Sequence, residues 1–192
     1  MNSPANCLGK RLFDLALAML LLLPSILLCL VLLPIIIADH KTTPIFVQTR
    51  VGQFGTKFSI FKLRTMNKST KSIASHLASS DSVTNLGRIL RHLKIDELPQ
   101  LVNVLFGQMS FIGPRPCLES QIELIALRSA LGVSVLKPGI TGFSQIAGLD
   151  MSDPESLAKC DSTYLMPWSL KTDLLILLKT IAGSGQGDAI LP

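Results

Sequence analysis

The chain has 192 residues, enough for one domain with a modest core. It is 48% hydrophobic and carries a net charge of +5, a balance that suits an anionic partner: a membrane surface, a phosphate-bearing substrate or nucleic acid. Its four cysteines (Cys7, Cys29, Cys117, Cys160) and three histidines (His40, His76, His92) lack the spacing of a zinc site or a disulfide framework, and the thiols read as free in a reducing compartment.

Much of the apolar content lies in one run. Leu15 to Ala38 has no charge across 24 residues, with Lys10, Arg11 and Asp14 ahead of it and Asp39, His40 and Lys41 behind. A straight helix of that length reaches about 36 Å, against a bilayer core of about 30 Å. The run reads as too long for a cleavable signal, and no small-residue cleavage site follows it. Pro24 removes a backbone hydrogen bond and is expected to kink the helix, and Ser25 can satisfy freed carbonyls. Basic residues flank both ends, so the positive-inside rule does not separate them. A helix that breaks at Pro24 and returns to the face it entered satisfies both facts; a kinked span stays open. Lys10 and Arg11 are expected at the headgroup layer as anchors of the membrane face.

Ile45 to Arg50 and Lys57 to Arg64 read as two strands. Val51-Gly52-Gln53-Phe54-Gly55-Thr56 turns between them, with two glycines for positive φ. Alternation puts Phe58, Ile60 and Lys62 on one face, with Phe61 and Leu63 off it. Lys62 and Arg64 close the strand as a basic pair, which on a half-exposed strand is ordinarily solvated. Asn67 to Ser82, rich in Ser, Thr and Lys, reads as a surface loop with one helical turn around Ala74 to Ala78. Leu86, Ile89, Leu90 and Leu93 then recur at helical spacing, with Arg88, Arg91, His92 and Lys94 between them. Such a helix suits anionic headgroups, a solvated surface or nucleic acid.

Asp96 and Glu97 follow, three and two residues ahead of Pro99, which is tolerated in a first helical turn. They are expected at a helix N-terminus, whose partial positive charge favours carboxylates and equally explains them as a cap. In Gly113-Pro114-Arg115-Pro116 two prolines stiffen the backbone around one arginine, whose guanidinium suits bidentate phosphate binding; a rigid turn with an exposed arginine is the plain alternative. Leu118 to Leu131 reads as an amphipathic helix. Lys137-Pro138-Gly139-Ile140-Thr141-Gly142 is a second stiff turn, whose N–H groups are candidates for approaching an anion. Tyr164 and Trp168 precede a hydrophobic helix, Leu170 to Ile181, open between core and membrane interface.

Six motifs coincide in order: Lys10-Arg11-Leu12-Phe13-Asp14, Phe61-Lys62-Leu63-Arg64-Thr65-Met66, Ile95-Asp96-Glu97-Leu98-Pro99-Gln100-Leu101, Asn103-Val104-Leu105, Met109-Ser110-Phe111-Ile112-Gly113-Pro114-Arg115-Pro116, and Lys137-Pro138-Gly139-Ile140-Thr141-Gly142. From about Lys10 to Thr180 the chain resembles the small monotopic phosphoglycosyl transferases of the bacterial sugar transferase family. The resemblance implies transfer of a sugar-1-phosphate from a UDP-sugar to polyprenyl (undecaprenyl) phosphate, with release of UMP. The product, a polyprenyl-diphospho-sugar, would initiate a surface glycan: O-antigen, capsule, exopolysaccharide or the glycan of a glycoprotein. It places the catalytic domain on the cytoplasmic face of a bacterial inner membrane. It makes Asp96 and Glu97 the catalytic pair and holders of Mg²⁺, with Asp96 the nucleophile that forms a covalent phospho-sugar. Lys62, Arg64, Arg115, Gly139, Thr141 and Gln145 are the expected contacts to phosphate and nucleotide sugar. The N-terminal segment becomes a re-entrant helix broken at Pro24.

The expected fold is α+β and mainly helical. It has a membrane hairpin over residues 1–41, a catalytic domain with a small β-hairpin and interfacial helices over 42–182, and a tail over 183–192. Nucleic acid is not an expected partner, and a homodimer stays open. A surface that only bound anions would gain nothing from Asp96 and Glu97, which repel phosphate unless a cation intervenes. The sequence departs from the family pattern at Leu149, where arginine is common, at Gln108, where aspartate is frequent, and at Ser82-Val83, where Pro-Arg is frequent. Phe143-Ser144-Gln145 replaces a common Trp-Ala-Gln.

Overall fold

The computed structural model describes residues 3–40, 42–67 and 82–183. It is mostly helical with two small sheets. A short 3-10 turn, Pro4–Asn6, leads into α1 (Leu8–His40), which contains both Pro24 and Pro34. An antiparallel hairpin follows, β1 (Ile45–Val51) and β2 (Lys57–Leu63). Next come α2 (Asn85–His92), a 3-10 helix over Ile95–Gln100 and α3 (Leu101–Leu105). Then β3 (Ser110–Ile112), α4 (Ile122–Ala130), β4 (Gly139–Thr141), α5 (Phe143–Ile146), α6 (Pro154–Ser162) and α7 (Leu170–Ile181) complete the described chain.

The way α1 packs follows from its near-uniform apolarity. One side meets the rest of the protein at two places. Ala18, with Leu17 and Leu21, joins the core of Leu101, Val104, Phe111 and Ile176. Further on, Ile36, with Leu32 and Leu33, joins a second cluster with Leu63 and Leu90. Both ends therefore rest on the same globular body. Ser25 sits on that inner side, buried, while Leu20 and Leu23 on the outer side stay 72% and 65% exposed. So large an unbroken apolar surface is at ease in lipid and not in water. The helix is long and apolar enough to cross a membrane, which is consistent with membrane association.

The hairpin register sets Phe58, Ile60 and Lys62 opposite Arg50, Gln48 and Phe46, so these six share a face. On β1 the buried residues are Gln48 and Arg50, and Val47 points out. The inward row is thus half polar, the reverse of an ordinary half-buried strand. The turn differs from the expected one. Gly55 takes positive φ, but Gly52 has φ −108 and the second left-handed residue is Phe54, at φ 54. For a residue with a Cβ that conformation costs about 1 kcal/mol.

β3 and β4 pair in parallel and bring the two proline-stiffened loops together. The approach is closer than any side chain permits: a Cβ on Gly139 would lie 2.2 Å from the Gly113 nitrogen. α2 is capped by Thr84, whose hydroxyl accepts from the Gly87 N–H at 3.0 Å. It ends where Lys94 enters the left-handed region at φ 56, the usual reversal after a helix. The chain then turns into the 3-10 helix, so Asp96 and Glu97 lie in the first turn of that element, ahead of α3. α7 spans the expected residues and resolves its own ambiguity. Asp173 and Ile176 face the core, and Leu174, Leu175, Leu178 and Ile181 are exposed. Residues 68–81 of the Ser- and Thr-rich segment, where a helical turn is expected around Ala74 to Ala78, lie outside the described residues, as does the tail beyond Gly183.

Candidate active site

Strand parity turns Lys62 inward, and the 3-10 helix packs against β2. Lys62 Nζ meets Glu97 Oε1 at 2.6 Å, with both side chains mostly buried. Arg115 stands across from them on its proline-bounded loop. Together with Arg50, Gln100 and Gly139 they line a narrow cleft. Three cations, Arg50, Lys62 and Arg115, face one carboxylate there, so the cleft favours an anion. Asp96, the residue before Glu97, is only 6% exposed. The structure sets it beside this cleft along the 3-10 helix and not among the cleft's lining residues.

The Arg115 loop is gripped from both sides. Arg50 Nη1 donates to the Pro116 carbonyl at 3.2 Å, and Arg128 Nη1 donates to the Arg115 carbonyl at 2.8 Å. Val51 N–H donates to the Cys117 carbonyl at 2.9 Å. Arg128 is itself fixed by Asp161, which accepts from Nε at 2.9 Å and Nη2 at 2.6 Å and also takes a 2.7 Å bond from the Ser144 hydroxyl. Backbone and buried side chains thus fix the loop from which the Arg115 side chain extends.

Several expected contacts are placed elsewhere. Arg64 donates to the Thr43 carbonyl at 2.7 Å and lies 5.8 Å from the centre of the Phe46 ring, at the far end of the hairpin row. The Thr141 hydroxyl is 2.8 Å from that of Thr180. The Gly139 N–H donates to the Pro114 carbonyl at 2.9 Å, so it is not turned to an anion; Gly139 serves close packing instead. Gln145 is buried, its Oε1 accepts from Ser144, and its Nε2 has no partner among the described residues. Of these four, only Gly139 lines the cleft.

Lys10 and Arg11 also require a correction. Lys10 is 4% exposed, with Nζ 3.0 Å from both Asp14 and Asp173. Arg11 donates to the Val104 and Leu105 carbonyls at the end of α3, at 2.7 and 2.9 Å. Inside the protein these cations have carboxylates and helix-end carbonyls to meet, and so they tie α1 to the domain and do not reach a headgroup layer. Burial and the neighbouring Arg11 charge hold Lys137 below its ordinary pKa. Burial pushes the Cys117 thiol up, which keeps it an unreactive neutral group.

Sequence reading missed Arg50, Gln100 and the Arg128–Asp161 pair. For Arg50 a signal existed: with Gln48 it forms the polar half of an alternating strand. For Arg128 and Asp161, 33 residues apart, the chain offers none. No group of three or more His, Cys, Asp or Glu gathers among the described residues.

The cleft suits an anionic ligand, and the chain that builds it carries one long apolar helix. The model of the bacterial sugar transferase family matches residues 5–186. A Bacillus subtilis (strain 168) protein named "uncharacterized sugar transferase EpsL" is 38% identical over 90% of this chain and 85% of its own length. A Caulobacter vibrioides protein named UDP-glucose:undecaprenyl-phosphate glucose-1-phosphate transferase is 39% identical over 91% of this chain and 68% of its own. The UDP-galactose-lipid carrier transferase of Erwinia amylovora is 36% identical over 90% of this chain, which spans only 39% of that longer protein. The chain belongs to the bacterial sugar transferase family and is a sugar-phosphate transferase.

Proposed function

We propose that this enzyme transfers a sugar-1-phosphate from a UDP-sugar to polyprenyl phosphate, undecaprenyl phosphate in bacteria, and so starts a surface glycan. The observation that carries the reading is the Lys62–Glu97 pair facing Arg115 next to Asp96, in a chain whose relatives are named for this reaction. The Asp96 carboxylate attacks the phosphorus that bears the sugar. The bond from that phosphorus to the bridging oxygen breaks, and UMP leaves with that oxygen. An oxygen of the lipid phosphate then attacks the acyl phosphate, and the Asp96 carboxylate is returned. Lys62 and Arg115 hold the phosphates and offset the charge that opposes attack.

Two adjacent carboxylates are the kind of donor that holds Mg²⁺ while water and substrate phosphate complete its octahedron. Asp96 and Glu97 would hold it, and when bound it neutralises the diphosphate. UMP release from UDP-glucose and UDP-galactose by detergent-purified protein tests the reading. Release that needs both undecaprenyl phosphate and Mg²⁺ is expected; none from either sugar, nor from a wider UDP-sugar panel, would overturn it. Arg115→Ala is expected to raise the UDP-sugar KM roughly 10- to 100-fold, the worth of a lost charged hydrogen bond. Unchanged steady-state kinetics would remove Arg115 from the phosphate site.

The same reading makes α1 re-entrant. Both of its ends rest on one body, which a helix crossing to the other side of a bilayer cannot do. The domain then sits at the cytoplasmic face of the inner membrane, where the lipid phosphate lies. α2 offers Ile89 and Leu93, each 58% exposed, beside Arg88 to the same interface. Restoring the missing N–H with Pro24→Ala is expected to favour a span over the re-entrant path. A tag ahead of Met1 should then become accessible to external protease in spheroplasts; a tag that stays protected would defeat the kink argument.

A further inference from the structure

A second cleft, of about 300 Å³, opens on the other side of Arg115. Its floor is apolar, formed by Ile125, Val133 and Leu136, and Ser129 and Ser134 stand at its rim. Arg115 and Pro116 line both clefts, so the two adjoin at this loop. The volume suits a nucleoside, and the pattern of an apolar floor with a few polar groups is that of a small-molecule site.

Phe54 stands at the mouth. Its backbone is left-handed, where a glycine would hold the same turn without strain. The residue is 65% exposed, so core packing does not account for it. The loop that carries it is tied to the opposite wall, where Gln53 Nε2 donates to the Val135 carbonyl at 2.8 Å. A strained, bare aromatic fixed over an apolar cleft has the geometry of a stacking platform for a flat ring.

We propose that this cleft is the nucleoside subsite of the donor. The pyrimidine ring stacks on Phe54, and the diphosphate passes Arg115 to reach Lys62 and Glu97. The inference rests on the donor being a UDP-sugar and adds where its leaving nucleotide is held.

The test is direct UMP binding to the full chain in detergent, by calorimetry, beside a transfer assay. Phe54→Gly is expected to weaken UMP binding about 10-fold or more, the effect of losing a base-stacking partner, while the thermal midpoint holds or rises as the strain is relieved. Phe54→Tyr should keep wild-type affinity. Ser129→Trp, at an exposed rim position, should fill the cleft and weaken UMP as strongly. UMP binding within twofold of wild type in both Phe54→Gly and Ser129→Trp would overturn the subsite and leave the reaction standing, as would wild-type protein that turns over UDP-sugar yet binds no UMP. An affinity loss in Phe54→Gly matched by a fall in midpoint would make Phe54 structural and also overturn it. Wild-type protein that binds UMP through Phe54 but transfers nothing would leave the subsite standing and overturn the reaction.

Discussion

Asp96→Asn is expected to lower sugar-phosphate transfer by about 10³-fold or more, the scale on which removing a nucleophile acts. The amide keeps the size and burial of the side chain but cannot attack phosphorus. Asp96 itself belongs to neither apolar cluster that holds α1, although its neighbour Ile95 joins one, so membrane association should be unchanged. UMP release measures the first effect and membrane fractionation the second. Mass spectrometry of wild type given donor without lipid acceptor should find the phospho-sugar on the peptide that contains Asp96, and the variant should lack it. Turnover above a tenth of wild type would move the nucleophile elsewhere, with Glu97 the first alternative.

Asp173→Ala is expected to cost about 3–5 kcal/mol of stability, the price of breaking a buried charge pair. Asp173 is fully buried and accepts from three groups. Lys10 Nζ is 3.0 Å away, Trp168 Nε1 donates at 2.9 Å and the Tyr164 hydroxyl at 2.5 Å. Burial and the Asp173 charge push the Tyr164 hydroxyl far up, so it stays a donor. Removing the carboxylate leaves the Lys10 ammonium with Asp14 alone and leaves a buried phenol and an indole N–H short of an acceptor. A drop of roughly 10 °C in the thermal midpoint in detergent should follow. A drop under 2 °C would mean that Asp14 alone satisfies Lys10. The site lies away from Lys62 and Glu97, so the folded fraction should keep its donor KM.

These two residues differ in how readily the chain discloses them. Asp96 was legible because its signal is local: adjacent carboxylates ahead of a proline, inside a run of ordered motifs. Asp173 lies within the hydrophobic helix Leu170 to Ile181, where nothing local marks it. What makes it central, Lys10 and Tyr164, comes from distant or unremarkable positions. Lys10 itself shows the error this causes. A basic residue ahead of an apolar run reads as a headgroup anchor, and only the packing of α7 against the start of α1 turns it inward. Arg64 and Thr141 follow the same course. Each sits in a motif that suggests substrate, and each has a nearer partner in Thr43 or Thr180. Phe54 went unread because nothing in its neighbours demands that a phenylalanine, rather than Gly52, take the left-handed place.

The sequence by itself determined the apolar N-terminal helix, the hairpin with Lys62 on its inward row, the basic amphipathic α2, the Asp96–Glu97 pair and the stiff Arg115 loop. Each depends on periodicity or on the dihedral limits of proline and glycine, which act over a few residues. The tertiary structure alone decided which charges meet: Lys62 with Glu97, Arg128 with Asp161, Lys10 with Asp14 and Asp173 together. It also decided that two clefts meet at Arg115. A side chain's partner is set by which surfaces the whole chain brings within about 3 Å, and burial then decides whether a cation serves a substrate or the protein that carries it.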